Sequence, residues 1–223
     1  TLTFAKGSKP LFGYVRDAKV SNLNIFGTYI DGYGLVENYV VDYGKDGKNW
    51  TDDDPKAVIT AEKVTIKSGT RIHQSGFLGG YASGIDHADF TNCTIEQGVT
   101  IGCNIDGTSA GLSNIGSFGG ALNGTIKNCV SYATVYGDSN VGGIAGIRGQ
   151  STDIFSIENC AFHGIINATG NNIGGILGSG YYMYNAPNAF GAVIKNCTVD
   201  GNISGRNNIG GIFGAEAGID QAW

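Results

Sequence analysis

Apolar residues alternate with polar or small residues along short stretches of the chain. The alternation is clear at Val199, Gly201 and Ile203, which follow one another at intervals of two. An interval of two places successive side chains on opposite faces of a β-strand. The pattern predicts an all-β fold built from many short strands.

The chain also repeats itself. Three units begin with Ile-x-Asn-Cys and end with Asn-x-Gly-Gly-Ile-x-Gly; they span 126–146, 157–178 and 194–214 and hold 21, 22 and 21 residues. An earlier unit begins at Phe90-Thr-Asn-Cys93 and reaches its Gly-Gly pair after an insertion around 102–114. Fixed-period self-similarity of this kind is the signature of a repeat architecture.

Weaker copies precede these four. Val20-Ser-Asn-Leu23 opens a unit, Leu11-Phe12-Gly13 resembles the end of another, and 64–80 is a degenerate copy without Asn-Cys. A unit of this length cannot bury its apolar face alone, whereas stacked units share one continuous core. We therefore expect 1–223 to be a single parallel β-solenoid of about six rungs, right-handed because right-handed connections dominate parallel β structure.

Composition narrows the choice of fold and partner. Glycine makes up 38 of 223 residues without a Gly-X-Y period, and only 3 residues are Pro, which excludes collagen and argues against a helical bundle. A net charge of -5 argues against nucleic acid and anionic membrane surfaces as partners. No apolar run is long enough for membrane insertion, and residues 1–10 lack a signal-peptide pattern, so we expect a mature fragment or an excised domain.

Two residue types occupy fixed positions in the repeat. The cysteine position accepts Leu in the first unit, which indicates an apolar interior site for free thiols. Disulfides between neighbouring rungs remain an alternative. The cysteines are widely spaced and have no companion His, which disfavours a metal site. Cys103 falls in an insertion and is expected to be unpaired or exposed. The asparagines are expected at a corner, sharing amide hydrogen bonds along the axis. This structural ladder comprises Leu23, Cys93, Cys129, Cys160 and Cys197, with Asn22, Asn92, Asn128, Asn159 and Asn196 beside them.

Segments that link the units are the first candidates for binding. Segments 121–125, 147–156 and 179–193 leave the repeat at one position and are expected to project from one corner. The aromatic loop 179–193 suits sugar rings or protein partners, through Tyr181, Tyr182, Tyr184 and Phe190.

A charged insertion is expected at about 37–63. It contains Asp52, Asp53 and Asp54, weak candidates for binding Ca²⁺; a solvated acidic loop is the plainer interpretation. Asp86-His87-x-Asp89 joins an imidazole to carboxylates but has no neighbouring nucleophile. The Gly-Gly pairs lack a following Lys and do not open a helix, so they indicate tight turning or close backbone approach rather than a phosphate cradle.

The motif Ile-Lys-Asn-Cys-x-Val-x-Gly, followed by Asn-Ile-Gly-Gly-Ile-Phe-Gly, resembles the GLUG-motif repeat of bacterial secreted and cell-surface proteins, which also accompanies IgA-cleaving metallopeptidases. The resemblance runs from about Leu11 to Gly214. It implies a non-catalytic extracellular repeat domain, either an adhesin-like binding module or a stiff spacer of a larger bacterial surface protein. A host glycan or extracellular protein is the implied partner, beside flanking domains of the parent chain, and no cofactor is implied. The alternative is a carbohydrate-active β-helix enzyme, a polysaccharide lyase or hydrolase.

Overall fold

A computed structural model describes residues 1–15, 17–39, 58–78, 87–149, 155–180 and 192–215. Regular structure in these residues is entirely β-strand. In the described part of the chain there is no helix of the length and hydropathy needed to span a bilayer. The strands are β1 (Leu2–Phe4), β2 (Phe12–Val15), β3 (Asp17–Gly27), β4 (Val36–Tyr39), β5 (Val58–Ile66), β6 (Arg71–Ile72), β7 (His87–Thr91), β8 (Thr94–Ile95), β9 (Thr100–Ile101), β10 (Ile115–Gly116), β11 (Gly119–Leu122), β12 (Gly124–Lys127), β13 (Val130–Ser131), β14 (Thr134–Gly137), β15 (Val141–Gly142), β16 (Ala145–Arg148), β17 (Phe155–Glu158), β18 (Ala161–Phe162), β19 (Ile165–Ala168), β20 (Asn171–Gly174), β21 (Leu177–Ser179), β22 (Ala192–Lys195), β23 (Thr198–Val199), β24 (Asn202–Ser204), β25 (Asn207–Gly210) and β26 (Phe213–Ala215).

The strands stack in parallel into long sheets, and each turn of the chain visits the sheets in the same order. One turn runs through β12 and β13, then β14, β15 and β16, and the chain returns to the first sheet at β17. The next turn repeats the sequence with β17 to β21. This arrangement is a β-solenoid of about four turns, which confirms the predicted fold class. The right-handed coiling of the solenoid and the number of six rungs remain predictions.

The repeat motif accounts for a bend in the first sheet. In the later turns the first sheet is divided at Asn-Cys, so that β12 ends just before Asn128 and β13 begins just after Cys129. Asn128 has a φ of 53°, in the left-handed region that Asn tolerates better than other residues with a side chain. The asparagine therefore turns the backbone, and the cysteine after it points into the interior.

The degenerate copy joins the sheet earlier than expected. Strand β5 begins at Val58 and pairs with β3, so that Asn22 is level with Lys63 and Leu23 with Val64. Lys63 has a φ of 54°, the same backbone conformation as the asparagines. The predicted insertion 37–63 is therefore wrong at both ends: β4 reaches Tyr39, and 58–63 is strand. Charged residues at Glu62 and Lys63 hid an alternation in which Ile59 and Ala61 are fully buried.

The core is a column of apolar side chains inside the coil. Phe77 lies against both Phe90 and Phe118, with ring centroids 5.4 and 5.1 Å apart and edge-to-face geometry. Cys103 is an unpaired thiol, the first of the two expected alternatives, and it is fully buried rather than exposed. Burial of the core declines in the last described turn, where Ile209 is 48% exposed.

The Gly-Gly pairs mark close approach of neighbouring turns. A Cβ on Gly143 would lie 2.1 Å from the carbonyl oxygen of Gly175, and a Cβ on Gly175 would lie 2.1 Å from that of Gly211. Real Cβ atoms do not tolerate such distances. The prediction of close backbone approach at these pairs is confirmed.

One of the linking segments differs from the expectation that it projects. Segment 121–125 lies largely within β11 and β12, and Asn123 between them is only 6% exposed. Residues 147–148 belong to β16 and 155–156 to β17, and 150–154 between them lie outside the described residues, so the projection of segment 147–156 remains a prediction. A one-residue strand interruption, rather than a loop, is enough to turn the corner at Asn123.

Candidate functional site

The predicted cysteine column exists and lies inside. In-register pairing of the first sheet stacks Leu23, Val64 and the four column cysteines in successive turns. Cys93, Cys129 and Cys160 are at most 2% exposed, and Cys197 is partly exposed. Each thiol lies 3.2–3.5 Å from two backbone carbonyl oxygens, and the backbone N–H of Cys93 lies 3.4 Å from the sulfur of Cys129.

Burial and neighbouring thiols shift the pKa values of these cysteines in different directions. Burial raises the pKa of Cys129, and hydrogen bonds from the thiols of Cys129 and Cys197 lower the pKa of Cys160. Burial also raises the pKa of Cys103 to about 11. Within the described residues no group of three or more His, Cys, Asp or Glu side chains has the arrangement of a metal site.

Asparagines form hydrogen-bonded ladders at two corners. The side-chain amide of Asn159 donates to the side-chain oxygen of Asn128 over 3.2 Å, and Asn196 donates to Asn159 over the same distance. A second ladder, which the sequence did not reveal as such, links residues at the start of an Asn-x-Gly sequence in successive turns over 2.8–2.9 Å. Its members, all with left-handed backbone, are Asn114, Asn140, Asn172 and Asn208.

A column of outward side chains follows the cysteines at a distance of three residues. Glu96, Tyr132, His163 and Asp200 each come three positions after a column cysteine, and Lys67 comes three after Val64. Backbone bonds fix the register: the N–H of Tyr132 donates to Ile95, that of His163 to Ser131 and that of Asp200 to Phe162. We call these five residues the outer column.

Neighbours in the outer column contact one another. The rings of Tyr132 and His163 are stacked, with centroids 5.0 Å apart and 25° between planes. His163 Nδ1 lies 2.5 Å from Asp200 Oδ1. At the other end, Lys67 donates to the Glu96 carboxylate, and with the backbone N–H of Ser68 it lowers the pKa of that carboxyl.

A groove of about 500 Å³ lies along this column, at the corner between the first sheet and the sheet of β14 and β19. Tyr132 and Ile165 are each 41% exposed there. Gly164 is one of the lining residues, and the turns approach closely there, since a Cβ on Gly164 would lie 2.0 Å from the carbonyl oxygen of Ala133. The lining residues are Gln97, Gly98, Tyr132, Thr134, His163, Gly164, Ile165 and Asp200.

The lining is polar with few charges. Gln97 and Thr134 offer an amide and a hydroxyl, Asp200 a carboxylate, and no Lys or Arg lies among the lining residues. Four successive turns contribute, so at about 4.8 Å per turn the groove extends on the order of 14 Å along the axis. Its shape suits an extended ligand with hydroxyl groups and an apolar ring face.

Most of the sequence-predicted binding residues are not among the described residues. The aromatic residues Tyr181, Tyr182, Tyr184 and Phe190 and the acidic Asp52, Asp53 and Asp54 lie outside the described residues. Asp86 does also.

The Asp89 carboxylate contacts both a histidine side chain and the backbone of the next turn. Its Oδ1 lies 3.1 Å from His87 Nε2 and also accepts a hydrogen bond from the backbone N–H of Thr125 in the next turn, 3.1 Å away. The carboxylate therefore helps to join two turns. No nucleophile contact accompanies the pair among the described contacts.

The groove was missed because its residues differ in type. A position filled by Glu, Tyr, His and Asp carries no recognisable motif. The signal that was available is the spacing: the third residue after each cysteine must lie outside if the cysteine lies inside, and in the same column. No model of a known protein family, no curated protein and no solved structure matches the chain.

Proposed function

We propose that this chain is a non-catalytic extracellular repeat domain that binds a neutral glycan along the outer column. The observation that carries the proposal is the groove itself, in which an exposed aromatic ring, an exposed Ile and amide and hydroxyl groups line one surface. Sugar rings combine apolar faces with hydroxyl groups, and aromatic side chains beside polar groups complement both. The resemblance to the GLUG-motif repeat supports a place on the bacterial surface or in a secreted protein, next to other domains of the parent chain.

The charges favour a neutral ligand over an acidic one. The Lys67 ammonium is engaged by Glu96, and Asp200 leaves a carboxylate 69% exposed beside the groove. A uronate or sulfate would meet this carboxylate without a Lys or Arg among the lining residues to neutralise it. We therefore expect neutral hexose or N-acetylhexosamine chains to bind better than acidic polysaccharides.

One observation favours the alternative of a carbohydrate-active enzyme. Asp200 holds the His163 imidazole beside the hydroxyl-bearing Tyr132, as a carboxylate orients a general base. A hydrolase that works with two carboxylates needs them within about 10 Å of each other. Glu96 and Asp200 are three turns apart, on the order of 14 Å, so they do not form such a pair.

The experiment is a glycan and matrix-protein array probed with the wild-type protein, Tyr132→Ala and Tyr136→Ala. Tyr136 lies on β14, on the same face as Thr134 but not in the groove lining, and serves as the matched control. We expect the wild-type protein to bind neutral glycans, Tyr132→Ala to lose about tenfold in affinity, and Tyr136→Ala to keep it.

Three other outcomes decide between the alternatives. Binding that survives Tyr132→Ala moves the site away from the groove. Cleavage of a polysaccharide that is lost in His163→Gln makes the chain an enzyme. If neither binding nor cleavage occurs across the array, the domain is a spacer.

A further inference from the structure

The end of the cysteine column differs from its interior. Cys93, Cys129 and Cys160 are closed off from solvent, but Cys197 is partly exposed and belongs to the last described turn. Strands β22 and β23, on either side of Cys197, are the end members of the first sheet. A reagent in solution therefore reaches the column at Cys197, and the turn that carries this cysteine pairs with a described neighbour on one side only.

Register brings Cys197 next to Cys160. Glu158 is paired with Lys195 and Ala161 with Thr198, so the two cysteines are level in neighbouring strands. Level residues in neighbouring strands have Cα atoms about 5 Å apart, within the 4.4–6.8 Å that a disulfide spans.

We propose that Cys160 and Cys197 form a disulfide when the protein meets a small oxidised disulfide such as oxidised glutathione, and that this bond ties the turn of Cys197 to the turn of Cys160. Cys197 loses its proton to solvent and attacks the small disulfide, which releases one glutathione thiolate. The Cys160 sulfur then attacks the Cys197 sulfur and displaces the second glutathione. Two protein thiols are oxidised, and one oxidised glutathione is reduced to two thiols.

Two features favour this pair over the others. Register places Cys160 level with the accessible cysteine, so the thiol that completes the disulfide is already in the neighbouring strand. The bond requires the Cβ atoms to approach to about 4 Å, closer than the strand spacing. Cys197 is the one column cysteine that is partly exposed, so the first step with the small disulfide takes place there.

Trypsin separates every cysteine of the column, which makes the pairing readable. Cleavage after Lys and Arg places Cys129, Cys160 and Cys197 in the fragments 128–148, 149–195 and 196–206, and leaves Cys93 together with Cys103 in 72–127. The native protein is incubated with oxidised glutathione, alkylated and digested without reduction. We expect the linked fragments 149–195 and 196–206, and a fall in free thiols from five to three.

Variants keep the test decisive. Cys197→Ala removes the entry point at a partly exposed site, and it is expected to keep all four remaining thiols free under the same treatment. Cys103→Ala, outside the column, is the control and should still give the link. A persistent glutathione adduct on Cys197, a link between any other pair, or five free thiols in the wild-type protein would each overturn the proposal.

Discussion

The side-chain amide of Asn159 donates to the side-chain oxygen of Asn128 one turn earlier, 3.2 Å away, and the two residues share left-handed backbone with φ of 52° and 53°. The same side chain thus tolerates the bend and links the turns. Asparagine recurs at this position because both demands meet there, so the repeat in the sequence is a repeat of backbone conformation as well as of contacts.

Replacing Asn159 separates these two contributions. Asn159→Ala places a residue that disfavours left-handed backbone at the bend and removes the amide, so we expect a loss of about 1–2 kcal/mol in the free energy of unfolding. Asn159→Gly keeps the backbone freedom and loses only the amide, so its loss should be smaller. Urea denaturation of both variants measures the difference, and equal losses would show that the bend itself imposes no cost.

The close approach of neighbouring turns is testable at two glycines of one column. Gly175→Ala brings a Cβ to 2.1 Å from the carbonyl oxygen of Gly211, whereas a Cβ on Gly211 meets no described atom within 4 Å. We expect Gly175→Ala to destabilise by about 1–3 kcal/mol or to prevent folding, and Gly211→Ala to change stability by less than about 0.5 kcal/mol. Thermal unfolding of the pair provides the comparison; a tolerated Gly175→Ala would contradict the stacking.

Thiol accessibility should follow position in the column. In the native protein a maleimide is expected to label Cys197 first, and faster as the pH rises, because the hydrogen bond with Cys160 raises the pKa of Cys197. Cys103 should react slowly, since it is buried and its pKa is raised to about 11. Mass spectrometry of timed samples gives the order. Rapid labelling of Cys93 or Cys129 before denaturation would place the column at the surface.

The Lys67–Glu96 pair should make stability depend on acid. Hydrogen bonds from Lys67 and then from Ser68 lower the Glu96 pKa below 4.5, so the folded protein binds this proton less readily than the unfolded chain. The contribution is present above pH 4.5 and is lost as the pH falls through the folded-state value. Because both side chains are about one-third exposed, it should be under about 1 kcal/mol. Glu96→Gln should therefore be destabilising at pH 7 and should leave stability unchanged near pH 2. The control is Glu62→Gln, which removes a carboxylate that lies 3.3 Å from the ammonium of Lys63.

The sequence predicted the parts of the fold in which residue types repeat. Asn-Cys and Gly-Gly recur because a left-handed bend, an interior of limited width and a close backbone contact each admit few residues. The first-sheet strand at Val58 was missed because Lys63-Val64 meets the same demands with different residues. A buried Val replaces a buried Cys without loss of apolar character, and a Lys in left-handed backbone is unfavourable but tolerated when neighbouring turns hold it.

The groove could be predicted from the spacing after each cysteine but not from a motif, for the opposite reason. Outward positions are free to vary, so Tyr132, His163 and Asp200 share a column without sharing chemistry. Only the register, which the cysteines define, brings them together. Function in a solenoid lies in such variable columns, whereas the conspicuous repeated residues hold the turns together.

The central claim is that successive turns place a residue with left-handed backbone in one column, even where the motif is absent, and Lys63→Asn tests it most directly. Asn favours the φ of 54° that Lys63 adopts, and it can join the amides of Asn22 and Asn92 on either side. We predict that Lys63→Asn raises the free energy of unfolding by about 0.5–1 kcal/mol in urea denaturation, while the same change at Lys19, an exposed position of β3 without positive φ, lowers it. A Lys63→Asn protein that is less stable than the wild type would contradict the register of the column.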